Sequence, residues 1–359
     1  MRVWAPEPRV TIGRRGDIVV DTKLREGQEP GATETAGRLD VPARGVPVPR
    51  TVSPEMRKLI GAPLRAGWDI KLKSIDQWKS FLDAAAANAV TGLPALAARL
   101  RVQWEQTTLD GVRAFHVTPD VVAPANRNRM LIHLHGGCYV LNRGEAGLPE
   151  AMLMASFGGF KVISIDYRMP PEAYFPCALD DAVTAWRAAA RLTDPRKMAV
   201  FGTSAGGALT LALILSAKQE GMPLPAAIAS GTPMADVTKT GDTFYTNEML
   251  DNVLVSRDGF CDAATRLYAN GHDLADPLLS PVYGDLSGFP PTILTSGTRD
   301  LLLSNTVRVH RKLRQAGVEA ALQVFEGQSH AQYMFDDTAP ETKEAFVEIA
   351  MFCDRHLAK

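Results

Sequence analysis

The stretch Gly202-Thr203-Ser204-Ala205-Gly206-Gly207 constrains this 359-residue chain more than any other. An apolar run, Met198 to Phe201, precedes it, and a helix-forming run, Ala208 to Lys218, follows. The pattern reads as a strand, a glycine-bracketed turn with a serine at its centre, and a helix. It fits the nucleophile elbow G-x-S-x-G, in which a sharp turn lifts a serine above the end of a parallel strand. The requirement is steric: the residues two before and two after the serine must be almost free of side chain for strand and helix to pack so closely. The helix N-terminus also aims free N–H groups at negative charge developing beside the serine. Chains match G-x-S-x-G by chance, so its meaning rests on what surrounds it.

Composition sets outer limits. With 46% hydrophobic and 22% charged residues the chain has ordinary globular composition, long enough for one large α/β domain plus an accessory part. A formal net charge of −1 argues against nucleic acid or a membrane surface held by bulk electrostatics. No uninterrupted run of about 18 apolar residues occurs, so no transmembrane helix is expected. The first eight residues are proline-punctuated and followed by Arg9, Arg14 and Arg15, without the apolar centre of a secretory signal. Cys138, Cys177, Cys261 and Cys353 show no C-x-x-C and no metal-type spacing. They read as free thiols in a reducing cytoplasm.

Residues 1 to about 50, rich in Gly, Pro, Arg, Glu and Thr, read as an extended or partly disordered arm. From Ser53 to about Leu100 apolar residues recur at three- and four-residue steps, predicting helices that precede the first strand and form a separate layer. Val102–Thr107 and Val112–Val117 flank Asp110-Gly111, a hairpin signal. Strands are expected at Met130–His133, Val162–Ile165, Met198–Phe201, Ala226–Ala229, Thr292–Thr295 and Leu322–Phe325. Between most of them lie helical stretches at Glu150–Phe157, Ala178–Arg191, Ala208–Glu220 and Asn305–Ala316. Such alternation predicts a mostly parallel sheet covered on both faces, with an antiparallel opening hairpin. About sixty residues separate the strands near Ala229 and Thr295, more than a crossover needs, so residues 234 to 275 read as an insertion with helices of its own.

A serine hydroxyl needs a base at neutral pH, and the base needs a third group to hold its tautomer. Following an elbow of this kind the order along the chain is Ser, then Asp or Glu, then His. Of the histidines after Ser204, His330 directly follows the strand ending at Phe325, at the end of the sheet where ligand chemistry collects. His310 and His356 fall within helices, and His272 belongs to the insertion. Asp300 is the carboxylate at the C-terminal end of the preceding strand; the competing reading is a turn aspartate that caps the next helix. The third element is Ile132-His133-Leu134-His135-Gly136-Gly137-Cys138-Tyr139, after the third strand. A glycine-rich loop there brings backbone N–H donors against a tetrahedral oxyanion, each worth about 3 kcal/mol. The elbow adds the N–H of Ala205. His133 and His135 have no partner cluster, and no metal is expected.

These elements together resemble the bacterial hormone-sensitive-lipase-like esterases, family IV of the lipolytic enzymes. The resemblance rests on His135-Gly136-Gly137, the Gly202-Thr203-Ser204-Ala205-Gly206 elbow with threonine before serine, Asp166-Tyr167-Arg168 with Pro171-Glu172, Phe175-Pro176 and Asp180, and the Asp300 and His330 pair. It covers about residues 102 to 359. It implies an α/β-hydrolase fold with a mostly parallel eight-stranded sheet flanked by helices, and a helical cap built from residues 51–101 plus the insertion at 234–275. It further implies hydrolysis of short- to medium-chain carboxylic esters by Ser204, Asp300 and His330, without cofactor, and frequent homodimers. The oxyanion donors map to Gly137, Cys138 and Ala205, with Gly136 shaping the loop. Cys138 stands where the family usually carries a third glycine; only its N–H is needed, so the site survives if that residue adopts a negative φ. Glu172 is expected as buried loop scaffolding, with Asp166 and Arg168 paired across the same loop. The partner is a small-molecule ester, with no nucleic acid and no stable membrane association.

The same scaffold serves lactones, amides and peptides. A peptidase would usually carry a large substrate-sorting domain, and none is visible. Plant gibberellin receptors resemble this family and bind without hydrolysis, but they lack the catalytic histidine that His330 supplies here. Trp68, Trp78, Phe81, Tyr245 and Met249 are candidates for lining an entrance, with core packing as the equal alternative.

Overall fold

In the computed structural model, residues 41–358 are described, together with a two-residue antiparallel ladder pairing Thr11 with Val19 and Ile12 with Ile18. The rest of the predicted N-terminal arm lies outside the described residues, and residues 41–49 have no regular structure. The chain divides into two units, residues 1–45 and 46–359. The second holds one eight-stranded sheet.

Its strands are β1 (Val102–Leu109), β2 (Val112–Pro119), β3 (Met130–Leu134), β4 (Lys161–Ile165), β5 (Met198–Thr203), β6 (Ala227–Gly231), β7 (Thr292–Gly297) and β8 (Ala320–Phe325). They lie in the order β8-β7-β6-β5-β3-β4-β2-β1. The six from β8 to β4 are mutually parallel; β2 runs antiparallel to both β4 and β1. The β1–β2 hairpin turns at Asp110 (φ 48°) and Gly111 (φ 85°), the pair of left-handed residues that a two-residue hairpin loop demands.

The helices are α1 (Pro54–Ile60), α2 (Ile75–Ala89), α3 (Leu93–Leu100), α4 (Leu148–Gly158), α5 (Cys177–Leu192), α6 (Ala205–Gln219), α7 (Thr243–Thr246), α8 (Phe260–Ala269), α9 (Leu303–Gln315) and α10 (Pro340–His356). Strand alternation assigns them to faces. In β5, Met198 and Val200 join the core under α5, α6 and α9, whereas Ala199 and Phe201 join the core under α3, α4 and α10. Because both faces are covered, the central strands are buried at nearly every position and read as continuous apolar runs. Helix α6 is buried from Ala205 to Ala217, which requires its small and aliphatic composition on all sides.

The helices before the sheet meet the insertion after β6. The Asn252 side-chain amide donates to the carbonyls of Leu59 and Ala62, both at 2.9 Å, and Arg65 N–H donates to Asn252 O at 2.9 Å. Phe260 stacks obliquely on Trp78 and Phe81, with centroids 5.6 and 5.5 Å apart. One stretch in this layer bears on the expectation of no transmembrane helix. Ile75–Leu100 is long and apolar enough to cross a membrane by length and composition, with a mean hydropathy of 1.3 over an 18-residue window. Alanine supplies that value without any long run of large apolar side chains. The stretch comprises α2 and α3 joined by a 3-10 turn at Val90–Gly92, and it packs through Trp78, Leu82, Leu93, Ala97 and Leu100.

Candidate active site

Strand β5 ends at Thr203 and α6 begins at Ala205, three residues earlier than its sequence pattern suggests. Ser204 alone makes the turn, with φ 63° and ψ −121°. A non-glycine residue there stores about 1–3 kcal/mol of backbone strain. Its surroundings hold it: Ser204 N–H donates to Gly231 O at 2.8 Å, and Ser204 O accepts from Ala208 and Met234, each at 3.0 Å. A Cβ on Gly202 or Gly206 would run into the Leu134 carbonyl of β3. The bracketing glycines are therefore required by the close approach of three backbones.

Three strand-end loops converge on Ser204. His330, after β8, places Nε2 2.9 Å from Ser204 Oγ and Nδ1 3.1 Å from Asp300 Oδ1. Asp300, after β7, is completely buried. It also accepts from the Ser296 hydroxyl (2.7 Å), the Leu302 N–H (2.8 Å) and the Thr232 hydroxyl. Burial alone would raise the Asp300 pKa, but the neighbouring imidazole and the hydrogen bonds from His330, Thr232 and Ser296 hold it below the ordinary 3.8. Burial likewise acts to lower the His330 pKa; the charge and hydrogen bond of Asp300 outweigh it, with Asp251 adding to the rise above 6.5. With the carboxylate accepting Nδ1–H, the Nε2 lone pair faces the serine hydroxyl.

The glycine-rich loop after β3 lies opposite. Tyr167 donates to His135 O at 2.6 Å and stacks on the His135 ring, centroids 4.2 Å apart. The Asn142 amide donates to Gly136 O at 3.1 Å, and Val140 and Leu141 N–H donate to Gly137 O at 3.0 and 2.8 Å. Gly137 has φ 119°, and a Cβ there would meet the Leu141 backbone. Cys138 takes φ 54° and Tyr139 φ 61°, so the negative φ set as a condition at Cys138 is not met. The tight turn needs left-handed backbone; burial of Cys138 and stacking of Tyr139 on Tyr268 at 4.1 Å hold it. Ala205, first in α6, has no intrahelical acceptor for its N–H.

Other expectations change. Asp166 and Arg168 do not pair with each other. Asp166 pairs with Arg113 at 2.8 Å and accepts from Gly144 N–H at 2.8 Å, whereas Arg168 forks onto Asp181 at 2.7 Å. Glu172 is exposed rather than buried, facing Arg143 at 3.3 Å and Lys79 at 3.9 Å, because it sits on the outer side of the loop. His133 enters a network beneath the serine: Nε2 lies 3.1 Å from Glu150, whose other oxygen accepts from Thr203 at 2.6 Å. Burial pushes the His135 pKa down to about 4, so that ring is neutral. His272 packs edge-on against Phe175, His310 lies 3.3 Å from Ala320 O, and His356 lies 3.4 Å from Glu319. Among the described residues, no group of three or more His, Cys, Asp or Glu is placed to hold a metal.

A cavity of about 640 Å³ opens onto Ser204 and His330. Of the entrance candidates, Trp68 and Phe81 line it, Trp78 is buried in the core, and Tyr245 and Met249 are exposed elsewhere. Sequence reasoning missed Thr232, Ser296 and Asp251. Thr232 follows β6 directly, so its strand-end position was a usable signal; Asp251, in the insertion, offered none.

A serine elbow and a glycine-rich loop at the C-terminal ends of adjacent parallel strands define the class of protein as an α/β hydrolase. An alpha/beta hydrolase fold family model matches residues 131–334. An acetyl-hydrolase of Streptomyces hygroscopicus is 30% identical over 243 residues, covering 67% of this chain and 80% of that protein. Esterase E25, a solved structure, is 42% identical with a TM-score of 0.86, over 89% of this chain and 99% of that one. An esterase structure from the bacterial hormone-sensitive lipase family is 29% identical with a TM-score of 0.68, over 80% and 100%. The chain belongs to the bacterial hormone-sensitive-lipase-like carboxylesterases of the α/β-hydrolase fold.

Proposed function

We propose that the chain hydrolyses short- to medium-chain carboxylic esters through Ser204, His330 and Asp300 by way of an acyl-enzyme. The continuous line of hydrogen bonds from Ser204 Oγ through both ring nitrogens of His330 to Asp300 carries this reading. His330 removes the serine proton as Ser204 attacks the ester carbonyl, and Asp300 stabilises the imidazolium that forms. The N–H groups of Gly137, Cys138 and Ala205 receive the oxyanion, and Gly136 shapes their loop. His330 then protonates the leaving alcohol, and water repeats the sequence to release the acid. The reading needs no cofactor, and a small-molecule ester is its only required partner.

Turnover of p-nitrophenyl butyrate is expected to vanish on Ser204→Ala; substantial residual activity in a clean preparation sinks the mechanism. The homodimer implied by the resemblance is part of the reading, and a monomer mass in light scattering removes it. The four unpaired thiols support a reducing, cytoplasmic setting. A disulfide in protein isolated without reductant removes that placement.

A further inference from the structure

The insertion after β6 contributes a carboxylate that the proposed reaction does not use. Asp251 is completely buried. Its Oδ1 accepts from the N–H groups of Val253 (2.8 Å) and Leu254 (3.1 Å), the turn that an aspartate commonly makes with its own backbone. Its Oδ2 instead leaves the insertion, accepting from Leu301 N–H at 2.8 Å and His330 N–H at 3.2 Å. Those donors adjoin the acid and belong to the base. Four donors on one buried group require both oxygens as acceptors, a demand that only a carboxylate meets. An asparagine satisfies the local turn but points an NH2 group at two N–H donors.

We propose that Asp251 is a positioning residue for His330: it ties the insertion to the base and to the loop of the acid, and sets a second negative charge beside the imidazole. This rests on the Ser204, His330 and Asp300 reading. The charged or titratable groups facing His330 are Asp300 after β7, Asp251 in the insertion and Cys261 on α8; those facing Asp251 are Asp300 and His330. Burial, then Asp300, raises the Asp251 pKa to about 6, so the carboxylate is charged at neutral pH and above. The next residue anchors the segment by other means: the Asn252 amide reaches Leu59 and Ala62, and Asn252 N–H donates to Ser329 Oγ at 3.1 Å. Loss of the Asp251 charge is therefore separable from loss of the segment.

The test is Asp251→Asn beside Asp251→Glu, measured with p-nitrophenyl butyrate from pH 5 to 9. Asp251→Asn is expected to lower kcat at least about tenfold with KM within about twofold, since the lost interaction acts through the base and not on bound ester. Removing a negative charge destabilises the imidazolium, so the acid limb of kcat/KM moves to lower pH. Asp251→Glu keeps the charge but misplaces its oxygens, so kcat falls and the limb stays. Wild-type kcat and limb in Asp251→Asn overturn the inference, as does a fall in kcat with an unmoved limb and a parallel drop in melting temperature. Where Asp251→Asn does not fold, Asp251→Glu decides: reduced kcat with the wild-type limb supports the inference, and wild-type kcat or a shifted limb overturns it. Fluorophosphonate labelling of wild type and Ser204→Ala tests the nucleophile separately. Activity or labelling that survives in Ser204→Ala removes the triad reading itself, whereas labelled Ser204 with an indifferent Asp251 removes only this inference.

Discussion

Burial of an imidazole ordinarily favours its neutral form, yet the carboxylates beside His330 hold its pKa above the usual 6.5. The proposed base must be neutral, and a raised pKa keeps the proton on to higher pH. The acid limb of kcat/KM is therefore expected above pH 6.5, falling as the solution is acidified through it. A limb centred below 6 in the wild type contradicts this environment. A second residue-scale expectation concerns Cys261, which shares a hydrogen bond with Cys138 and lines the cavity with it. That hydrogen bond shifts the Cys261 thiol down, with Arg257 nearby adding to the fall against burial, and shifts the Cys138 thiol up. A small reagent such as methyl methanethiosulfonate is expected to inactivate the enzyme at pH 7, with Cys261→Ala resistant; equal sensitivity of the two proteins refutes it. Ser204, Asp300 and His330 were legible because their order along the chain and their strand-end positions are local properties. Asp251 was illegible because its work lies in bonds to residues 50 and 79 positions away. The left-handed backbone at Cys138 was illegible because a sequence shows which residue breaks a glycine pattern, not what the backbone around it can compensate.

At the scale of elements, the strand and helix pattern was readable almost throughout, since burial on both sheet faces writes apolar runs into β3 to β7 and amphipathic spacing into α5 and α9. The exceptions are informative. The start of α6 was placed late because Ala205 to Gly207 look like turn residues, whereas their smallness serves contact with β3 and β6 inside a helix. Gly206→Ala tests that contact. Its methyl group would collide with backbone on both Leu134 and His135, which no side-chain rotation relieves. A loss of about 2 kcal/mol or more is expected, read as a lowered melting temperature together with lost activity. A variant with wild-type melting would show that the elbow tolerates a wider gap. The Ala-rich α2 and α3 carried the opposite ambiguity: hydropathy summed over a window registers alanine as apolar, while packing uses only the few larger residues on one side.

The whole molecule joins a sheet whose chemistry is written in short motifs to a covering layer that no motif describes. The cavity draws on both, with Trp68 from the turn before α2 and Phe81 from α2 itself, and Leu254 and Phe260 from the insertion after β6. That layer is expected to decide which esters enter. A series of p-nitrophenyl esters is expected to show highest kcat/KM at short to medium acyl length, with Phe81→Ala shifting the optimum to longer chains while leaving the acid limb in place. An optimum unchanged by Phe81→Ala would move the acyl group to another wall.

The four bonds of Asp251 bear on how such an enzyme can diversify. A covering segment that only shaped the cavity would be a free module, open to exchange between relatives by recombination. Here the exchangeable piece carries a carboxylate bonded to the backbone of His330 and Leu301, so a transplanted segment without an equivalent acid would alter the engine along with the selectivity filter. Point substitution within residues 234–275 that spares Asp251 would leave those bonds in place, whereas wholesale replacement would not.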